Sequence, residues 1–446
     1  MNRHLSYKDI VLLPDYSEVE SRTQADCKPV FLGKKFNSVA IPANMRCTID
    51  FKKAVELAEQ DYFYILHRFY NYDEIIDWVG VNQDIYISIS VGVKEEDRRL
   101  IKALSTIRKF KTNEKIRVDC ITIDVAHGHH ISVKNMIQFI KANLPYTKII
   151  AGNIGTLNAL YDLQKWGADA AKVGLSMGKS CTTYNCTGVG TPMFSAVFNM
   201  CSDEFGNHVE PPIPIIADGQ IREVGDVCKA LVAGASMVMI GSEFAKCSDS
   251  PAETFDNKKI FFGSASSFNK NSDSYIEGQK VLLDQRTENY FGYLKRINEG
   301  VQSCMSYCGT TELQSLKHMQ FGLTSWACWC RCRCRWHSYC NCRCYRRCRG
   351  YRLRRCYRRR YRVTRCIGWS YRYTRCNWRC CSNWRCWRYC RCNGGWSTYW
   401  RCYRCRWRNW RCDRCWWRVR RCKWNCRGDW WSYWWSHCRC YQWCSC

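Results

Sequence analysis

The sequence predicts an α/β chain whose residues 1–324 close as a (β/α)8 barrel and whose residues 325–446 form a low-complexity tail without a fold of their own. Three observations carry that expectation. Short apolar, β-branched runs recur eight times in the first part, with stretches of helical periodicity between them. Most of those runs are continuous rather than alternating, as strands buried on both faces read. The composition then changes abruptly near residue 325, beyond which aliphatic residues almost vanish.

The eight runs, in order, are Ser38–Ala43, Tyr62–Leu66, Ile85–Val91, Cys120–Val125, Lys148–Ala151, Ala170–Gly174, Pro214–Ala217 and Ser236–Ile240. Helical periodicity marks Phe51–Gln60, Val133–Leu144, Leu157–Trp166 and Gly225–Ala233. Strands alternating with helices argue for parallel βαβ units, and eight of them argue for a closed TIM barrel over an open doubly wound sheet. A body of roughly 320 residues can bury a core of that size. It holds no apolar run long enough to span a bilayer. Met1–Tyr16 lacks the continuous apolar stretch of a secretory signal. Ten body cysteines without a spacing pattern suit a reduced, cytoplasmic enzyme better than a disulfide framework.

The formal net charge of +30 belongs to the tail, where 32 Arg and one Lys face two Asp. It therefore says nothing about the partners of the body, which is close to neutral. The tail also holds 26 of the 36 Cys and 19 of the 21 Trp. Such a composition cannot build an aliphatic core. Its Cys pairs, among them Cys328 and Cys330, have C-x-C spacing rather than that of a zinc site. Arg interleaved with Trp and Tyr could hold nucleic acid through phosphate contacts and stacking, but so cationic a segment binds any polyanion nonspecifically. A further regularity points elsewhere. Cys, Arg, Trp and Gly codons carry G in the middle position, Tyr and Asn codons carry A, and residues with T or C there are scarce. That bias suits a gene segment read out of frame.

In the body, polar residues stand where a barrel needs them. Asn44, His67, Ser90, Asp124, Asn153, Cys181, Asp218 and Gly241 lie just past the C-terminal ends of the eight runs. In a barrel those ends converge on one mouth, where active sites are built. The most informative stretch is Gly174-Leu175-Ser176-Met177-Gly178-Lys179-Ser180-Cys181-Thr182-Thr183, a thiol on a loop of small residues. Small residues let a ligand approach the backbone, and a Cys there can act as a nucleophile once its thiolate is favoured. Ala217-Asp218-Gly219-Gln220 follows the seventh run and Gly241-Ser242 the eighth. Loops after strands seven and eight commonly hold a phosphate on backbone N–H groups. No Gly-x-Gly-x-x-Gly follows a strand, so no dinucleotide fingerprint is present.

On these residues the body resembles the IMP dehydrogenase/GMP reductase family. The likeness runs through Ile41–Met45, Tyr62–Phe69, Ser88–Lys94, Ile121–His129, Ala151–Asn153, the Cys181 loop, Pro214–Gly219, Val238–Ser242, Phe262–Ser266 and Glu277-Gly278. Only residues 68–86 separate His67 from Ile87, too few for the regulatory domain usual in the dehydrogenases. Only residues 264–276 lie between Gly263 and Glu277, too few for the dehydrogenases' water-activating flap. Both lengths favour the short reductase branch.

That resemblance implies reduction of GMP by NADPH to IMP with release of ammonia. Cys181 would attack C2 of the purine, with Thr183 and Glu277 managing protons. The nucleotide would meet Asp218, Gly219, Gly241, Ser242, Gly263, Ser264 and Gly278. NADPH would lie near Arg68, Asp124, Val125 and Ala126, with Ser21, Arg22 and Tyr307 coming from a neighbouring subunit of a homotetramer. A monovalent cation such as K+ would sit on carbonyls of the loop at Ser176 and Gly178. The alternatives are oxidation of IMP, an inactive homologue, and, in a different class, nucleic-acid binding through the tail. The chain departs from the family where Ser176-Met177 replaces Pro-containing, Gly-rich sequence, where Gln220 replaces a second Gly, where Tyr184 replaces a basic residue, and at Lys246 and Ala252, which replace glycines. Ser176 loses a glycine's freedom at positive φ, and Gln220 puts a side chain where phosphate would approach the backbone.

If the tail is a frame error, a chain ending at residue 324 should keep full catalytic activity and be more soluble. Steady-state assays of the two forms side by side decide this, and a large loss of turnover on deletion would show that the tail works for the enzyme.

Overall fold

The computed structural model describes residues 4–108, 115–203, 205–270 and 276–324. The expectations for residues 325–446 lie outside the described residues. Seven strands form one parallel sheet: β1 (Ala40–Pro42), β2 (Ser88–Val91), β3 (Cys120–Asp124), β4 (Lys148–Ile154), β5 (Ala170–Val173), β6 (Ile215–Asp218) and β7 (Met237–Ile240). Their order is β1-β7-β6-β5-β4-β3-β2, so the last strand in sequence lies beside the first. The connecting helices include α1 (Phe51–Glu59), α2 (Tyr72–Val81), α3 (Glu95–Thr106), α4 (Ile131–Asn143), α5 (Leu157–Trp166), α6 (Thr183–Thr187), α7 (Met193–Met200), α8 (Val224–Val232) and α9 (Ser242–Ala245). The later α10 (Ser267–Lys270) and α11 (Tyr290–Tyr307) follow an antiparallel β-insertion or lie within it. The expected TIM-barrel class is borne out.

The second of the eight expected strands differs from its expectation. Tyr62–Leu66 makes only one bridge to the sheet, Leu66 to Ile89 in β2, where Leu66 N donates to the Ser88 carbonyl at 3.0 Å. Side chains rather than a ladder join it to β1. Phe63 and Ile65 are fully buried in the same cluster as Ile41 and Met239. Sequence reading also missed α2, α3, α7, α11 and the hairpin of Lys258–Phe262 with Lys280–Asp284.

The period-two rule of strands sorts the staves into two faces. Cys120, Ile150, Ala170, Ile216, Met237 and Met239 fill the barrel interior, whose floor is closed by Phe31 and Phe36. Their neighbours Ile121, Ile149, Ala171, Ile215 and Val238 pack outward under the helices. The same parity carries upward. Asp124, Lys172 and Asp218 share the parity of Cys120, Ala170 and Ile216 and point into the barrel at its C-terminal mouth. Helices cover the outer faces because each has one apolar side: α1 buries Ala54, Leu57 and Ala58, and its cap Asp50 accepts from Lys53 N at 2.7 Å. In α5, Thr156 caps the start and Gly167, at φ +105°, ends it. Among the described residues, no helix is long and apolar enough to cross a membrane.

Phe63 has ring contacts with Phe31, Phe36 and Tyr86 at centroid distances of 5.2, 5.1 and 6.0 Å. It substitutes packing for the missing ladder. Phe63→Ala should therefore destabilise the chain by about 3–5 kcal/mol, read as a lower denaturation midpoint. A loss under about 1 kcal/mol would mean that the eighth stave does not close the barrel.

Candidate active site

Main-chain pairing builds the nucleophile's surroundings. Thr182 N donates to the Glu277 carbonyl at 2.9 Å, and Gln279 N donates to the Ser180 carbonyl at 2.8 Å, with Cys181 opposite Gly278. The loop after β5 and the segment before Lys280 thus lie antiparallel. The approach requires glycine at 278, since a Cβ there would stand 2.8 Å from Ser266 N. At Gly263 a Cβ would press on the Ser180 carbonyl oxygen at 3.2 Å and on Gly278 Cα at 3.3 Å.

This pairing lines up three side chains. Cys181 Sγ donates to Thr183 Oγ1 at 3.3 Å, and Thr183 Oγ1 donates to Glu277 Oε2 at 2.7 Å. A thiol, a hydroxyl and a carboxylate in this order form a path along which a proton can leave the sulfur. Cys181 is partly exposed and Cys186 exposed, whereas Cys27, Cys47, Cys120, Cys201, Cys228, Cys247 and Cys308 are buried. Burial pushes the Cys47, Cys201 and Cys247 thiols up to about 12.

A second group fills the mouth. Lys172 Nζ lies 2.9 Å from Asp124 Oδ1, 3.0 Å from Asn44 Oδ1 and 3.5 Å from Asp218 Oδ2. Asn153 Nδ2 donates to Asp218 Oδ2 at 2.9 Å and to the Gly174 carbonyl at 2.8 Å. Arg68 Nε stands 3.9 Å from Asp124 Oδ2 and has no hydrogen-bond partner among the described residues. Val125 and Ala126 follow directly, with Val125 N held by the Gly152 carbonyl at 3.1 Å. His67, beside Arg68, is held at about 3 by burial and then by the Arg46 charge, so it is neutral near pH 7. Its Nδ1 accepts from Phe69 N at 3.1 Å, which fixes the turn that carries Arg68.

Gly219, at φ +126°, packs against Met177, and Gly241 precedes Ser242 at the start of α9. Arg222 Nη1 donates to Ser242 Oγ at 3.1 Å. Burial, then the Lys246 and Arg222 charges, lower the Lys179 ammonium below its usual range, so cationic groups converge on this side of the mouth. Ser264 borders it through its carbonyl, which accepts from Asn269 Nδ2 at 3.0 Å. The concern over Ser176 and Gln220 is met in the backbone: they stand at φ +66° and +60°, in the left-handed region. Gln220 Nε2 lies 3.0 Å from Met177 Sδ, so the two replacements contact each other.

Ser21, Arg22 and Tyr307 come together in an exposed cluster of their own. Arg22 reaches Ser303 Oγ at 3.0 Å and Tyr307 Oη at 3.4 Å. Ser176 Oγ donates to the Val189 carbonyl at 2.6 Å, and the Gly178 carbonyl accepts from Cys181 N at 3.2 Å. A K+ ion at these two residues would use their backbone carbonyl oxygens, of which that of Gly178 already accepts from Cys181 N. Sequence reading missed Lys172 and Arg222. The signal for Lys172 was a single charge inside the apolar run Ala170–Gly174; the signal for Arg222 was a base just past the Asp218-Gly219 turn.

A barrel with a partly exposed thiol at its mouth, a proton path from that thiol and a cationic rim past β6 and β7 defines a nucleotide-handling enzyme class. The IMP dehydrogenase/GMP reductase domain model matches residues 4–330, and the chain belongs to that family. It is 41% identical over 322 residues to proteins named GMP reductase from Staphylococcus aureus strains Newman, USA300 and NCTC 8325, an alignment that takes in 71% of this chain and 94% of each relative.

Non-glycine residues held in the left-handed region carry strain that glycine relieves. Ser176→Gly and Gln220→Gly should each stabilise the chain by about 1 kcal/mol, seen as a rise of a few degrees in Tm. A fall in Tm for both would mean that the Met177–Gln220 contact outweighs the strain.

Proposed function

We propose that this chain reduces GMP to IMP with release of ammonia, taking hydride from NADPH. The observation that carries the reading is the path from Cys181 Sγ through Thr183 Oγ1 to Glu277 Oε2 at a barrel mouth. Proteins named GMP reductase at 41% identity support the same substrate.

In this reading the thiol proton passes through Thr183 to Glu277, and the thiolate adds to C2 of the guanine. The same proton returns through the relay to the 2-amino group, which leaves as ammonia, and the purine stays bound to Cys181 as a thioimidate. NADPH supplies the hydride that C2 requires. The arriving hydride displaces Cys181, whose thiolate then recovers a proton. No water need be activated, which agrees with the short segment between Gly263 and Glu277.

The nucleotide is assigned to Asp218, Gly219, Gly241, Ser242, Gly263, Ser264 and Gly278, with Arg222 and Lys179 adding charge for its phosphate. The unpartnered Nε of Arg68 beside Asp124 gives a polar cofactor a donor that no described side chain uses. NADPH is therefore assigned to Arg68, Asp124, Val125 and Ala126. The exposed cluster of Ser21, Arg22 and Tyr307 would serve the cofactor of an adjoining subunit in a cytoplasmic homotetramer. K+ would be held by carbonyls of Ser176 and Gly178.

One absorbance assay at the nicotinamide band tests the activity. NADPH should be consumed with GMP and ammonia released in equal amounts. NAD reduction with IMP instead would make the chain a dehydrogenase. Cys181→Ala should abolish turnover while GMP binding persists, since the thiol makes the covalent bond but not the phosphate contacts. Cys186→Ala should retain activity, and inactivity of that variant alone would overturn the assignment of the nucleophile. Thr183→Val keeps the shape but cuts the relay; it should lower kcat by about 10²–10⁴-fold.

A further inference from the structure

We infer that Lys172 is a positioning residue of this reaction: its ammonium, carried inward from β5, holds Asp124 and Asp218 in place as carboxylates, so that one cation sets both the cofactor side and the nucleotide side of the mouth. The inference rests on the functional reading above.

The strand pattern is the first support. A lysine inside a four-residue strand with every position buried is costly unless its charge is matched. Lys172 is 2% exposed. Its Nζ makes its three contacts with residues of three different staves or stave ends: Asn44 after β1, Asp124 at the end of β3 and Asp218 at the end of β6. It joins β5 to β1 and β3, with which β5 forms no ladder, as well as to its paired neighbour β6.

The second support is the gap that lets it do so. Across the sheet Asp124 is level with Gly152, and Gly152 with Lys172. A Cβ on Gly152 would stand 2.5 Å from Lys172 Cβ and 2.8 Å from the Lys172 carbonyl oxygen. The absent side chain on β4 leaves room for the lysine stem to pass and for its charge to meet a carboxylate two staves away.

The third support is charge balance. The charged groups facing Lys172 are Asp124 and Asp218; those facing Asp124 are Lys172 and Arg68. Burial opposes ionisation of Asp124, yet the Lys172 charge, then that of Arg68, outweighs it and leaves the carboxyl below its usual range. Lys172 is likewise disfavoured by burial and raised on balance by Asp124 and Asp218. Without the ammonium, buried Asp124 would keep one cation, Arg68, at 3.9 Å, and burial would drive it to take up a proton at higher pH. A group whose pKa rises loses its charged form as pH falls, so activity that needs the carboxylate would be lost at higher pH than in the wild type.

The experiment compares the full chain with Lys172→Met, which keeps an unbranched side chain one atom shorter and removes its charge. The expected result is a fall of about a hundredfold in kcat/KM for GMP, the scale of losing one fixed charge at an active site. KM for NADPH should rise, and the acid limb of the pH profile should move up by about one unit or more. Lys172→Met combined with Asp124→Asn should erase the shifted limb and leave activity at the low level that Lys172→Met shows on its acid side, since the carboxyl that gained the proton is gone. Infrared spectra give a readout that does not depend on turnover: a protonated-carboxyl band at pH 7 should be present in Lys172→Met and absent from the wild type. Failure of the wild-type chain to consume NADPH with GMP would defeat the functional reading, whereas the infrared band still decides the role of Lys172. If Lys172→Met does not fold, Lys172→Gln is measured in the same way. A pH profile superimposable on the wild type, with no new carboxyl band and only a lower Tm, would overturn the inference and leave Lys172 as a core residue.

Discussion

The hydrogen bond between Thr183 Oγ1 and Glu277 Oε2 spans 94 positions of sequence, and the reading of this site depends on it. It exists because two backbone segments lie close enough to pair, Thr182 with Glu277 and Ser180 with Gln279. That closeness in turn needs glycine at 263 and 278, where a Cβ would press on backbone atoms. A thiol on a loop has only ordinary acidity. A thiol on a loop pinned to a carboxylate-bearing strand edge has somewhere to send its proton. Backbone pairing, a contact usually associated with stability, here fixes a chemical path.

The barrel beneath supplies the other constraint. Period two decides that Asp124, Lys172 and Asp218 share one face, and helical cover on the outside leaves that face the interior. A closed wall lets staves that are not neighbours meet through side chains at the mouth. The eighth stave shows how little of that closure needs hydrogen bonding: one bridge at Leu66 suffices where Phe63 and Ile65 pack inward.

Much of this was legible in the sequence. Asp124, Cys181, Asp218 and Asn153 could be located because they stand at the C-terminal ends of apolar runs or on the loops that follow them, and a barrel brings such positions together. The relay of Thr183 and Glu277 came from family likeness; spacing alone offers no reason to join residues so far apart. Lys172 escaped because the run around it was read for hydrophobicity rather than for parity, and parity is the property that turns it into the mouth of the barrel. Tyr62–Leu66 reads as a strand by composition, yet ladder pairing depends on the placement of its neighbours, which composition does not encode. The strain at Ser176 was legible because only glycine occupies left-handed backbone freely; the left-handed backbone of Gln220, expected only to crowd a phosphate, and its contact with Met177 were not.

The distribution of thiols has a pharmacological meaning. Seven of the ten body cysteines are buried, and burial holds Cys47, Cys201 and Cys247 at about 12, far from the thiolate an electrophile attacks. The exposed Cys186 lies one turn away from the partly exposed Cys181, and its sulfur faces the Ile276 carbonyl at 3.8 Å. Cys304 is half-buried, and its contact with Cys228 pushes its thiol up to about 12 as well, so a covalent inhibitor aimed at this barrel would have to discriminate between Cys181 and Cys186 rather than among ten. The nucleobase pocket would be the means of discrimination, because a warhead carried on a purine would be delivered to Cys181, the sulfur proposed to add to C2, and away from its neighbour.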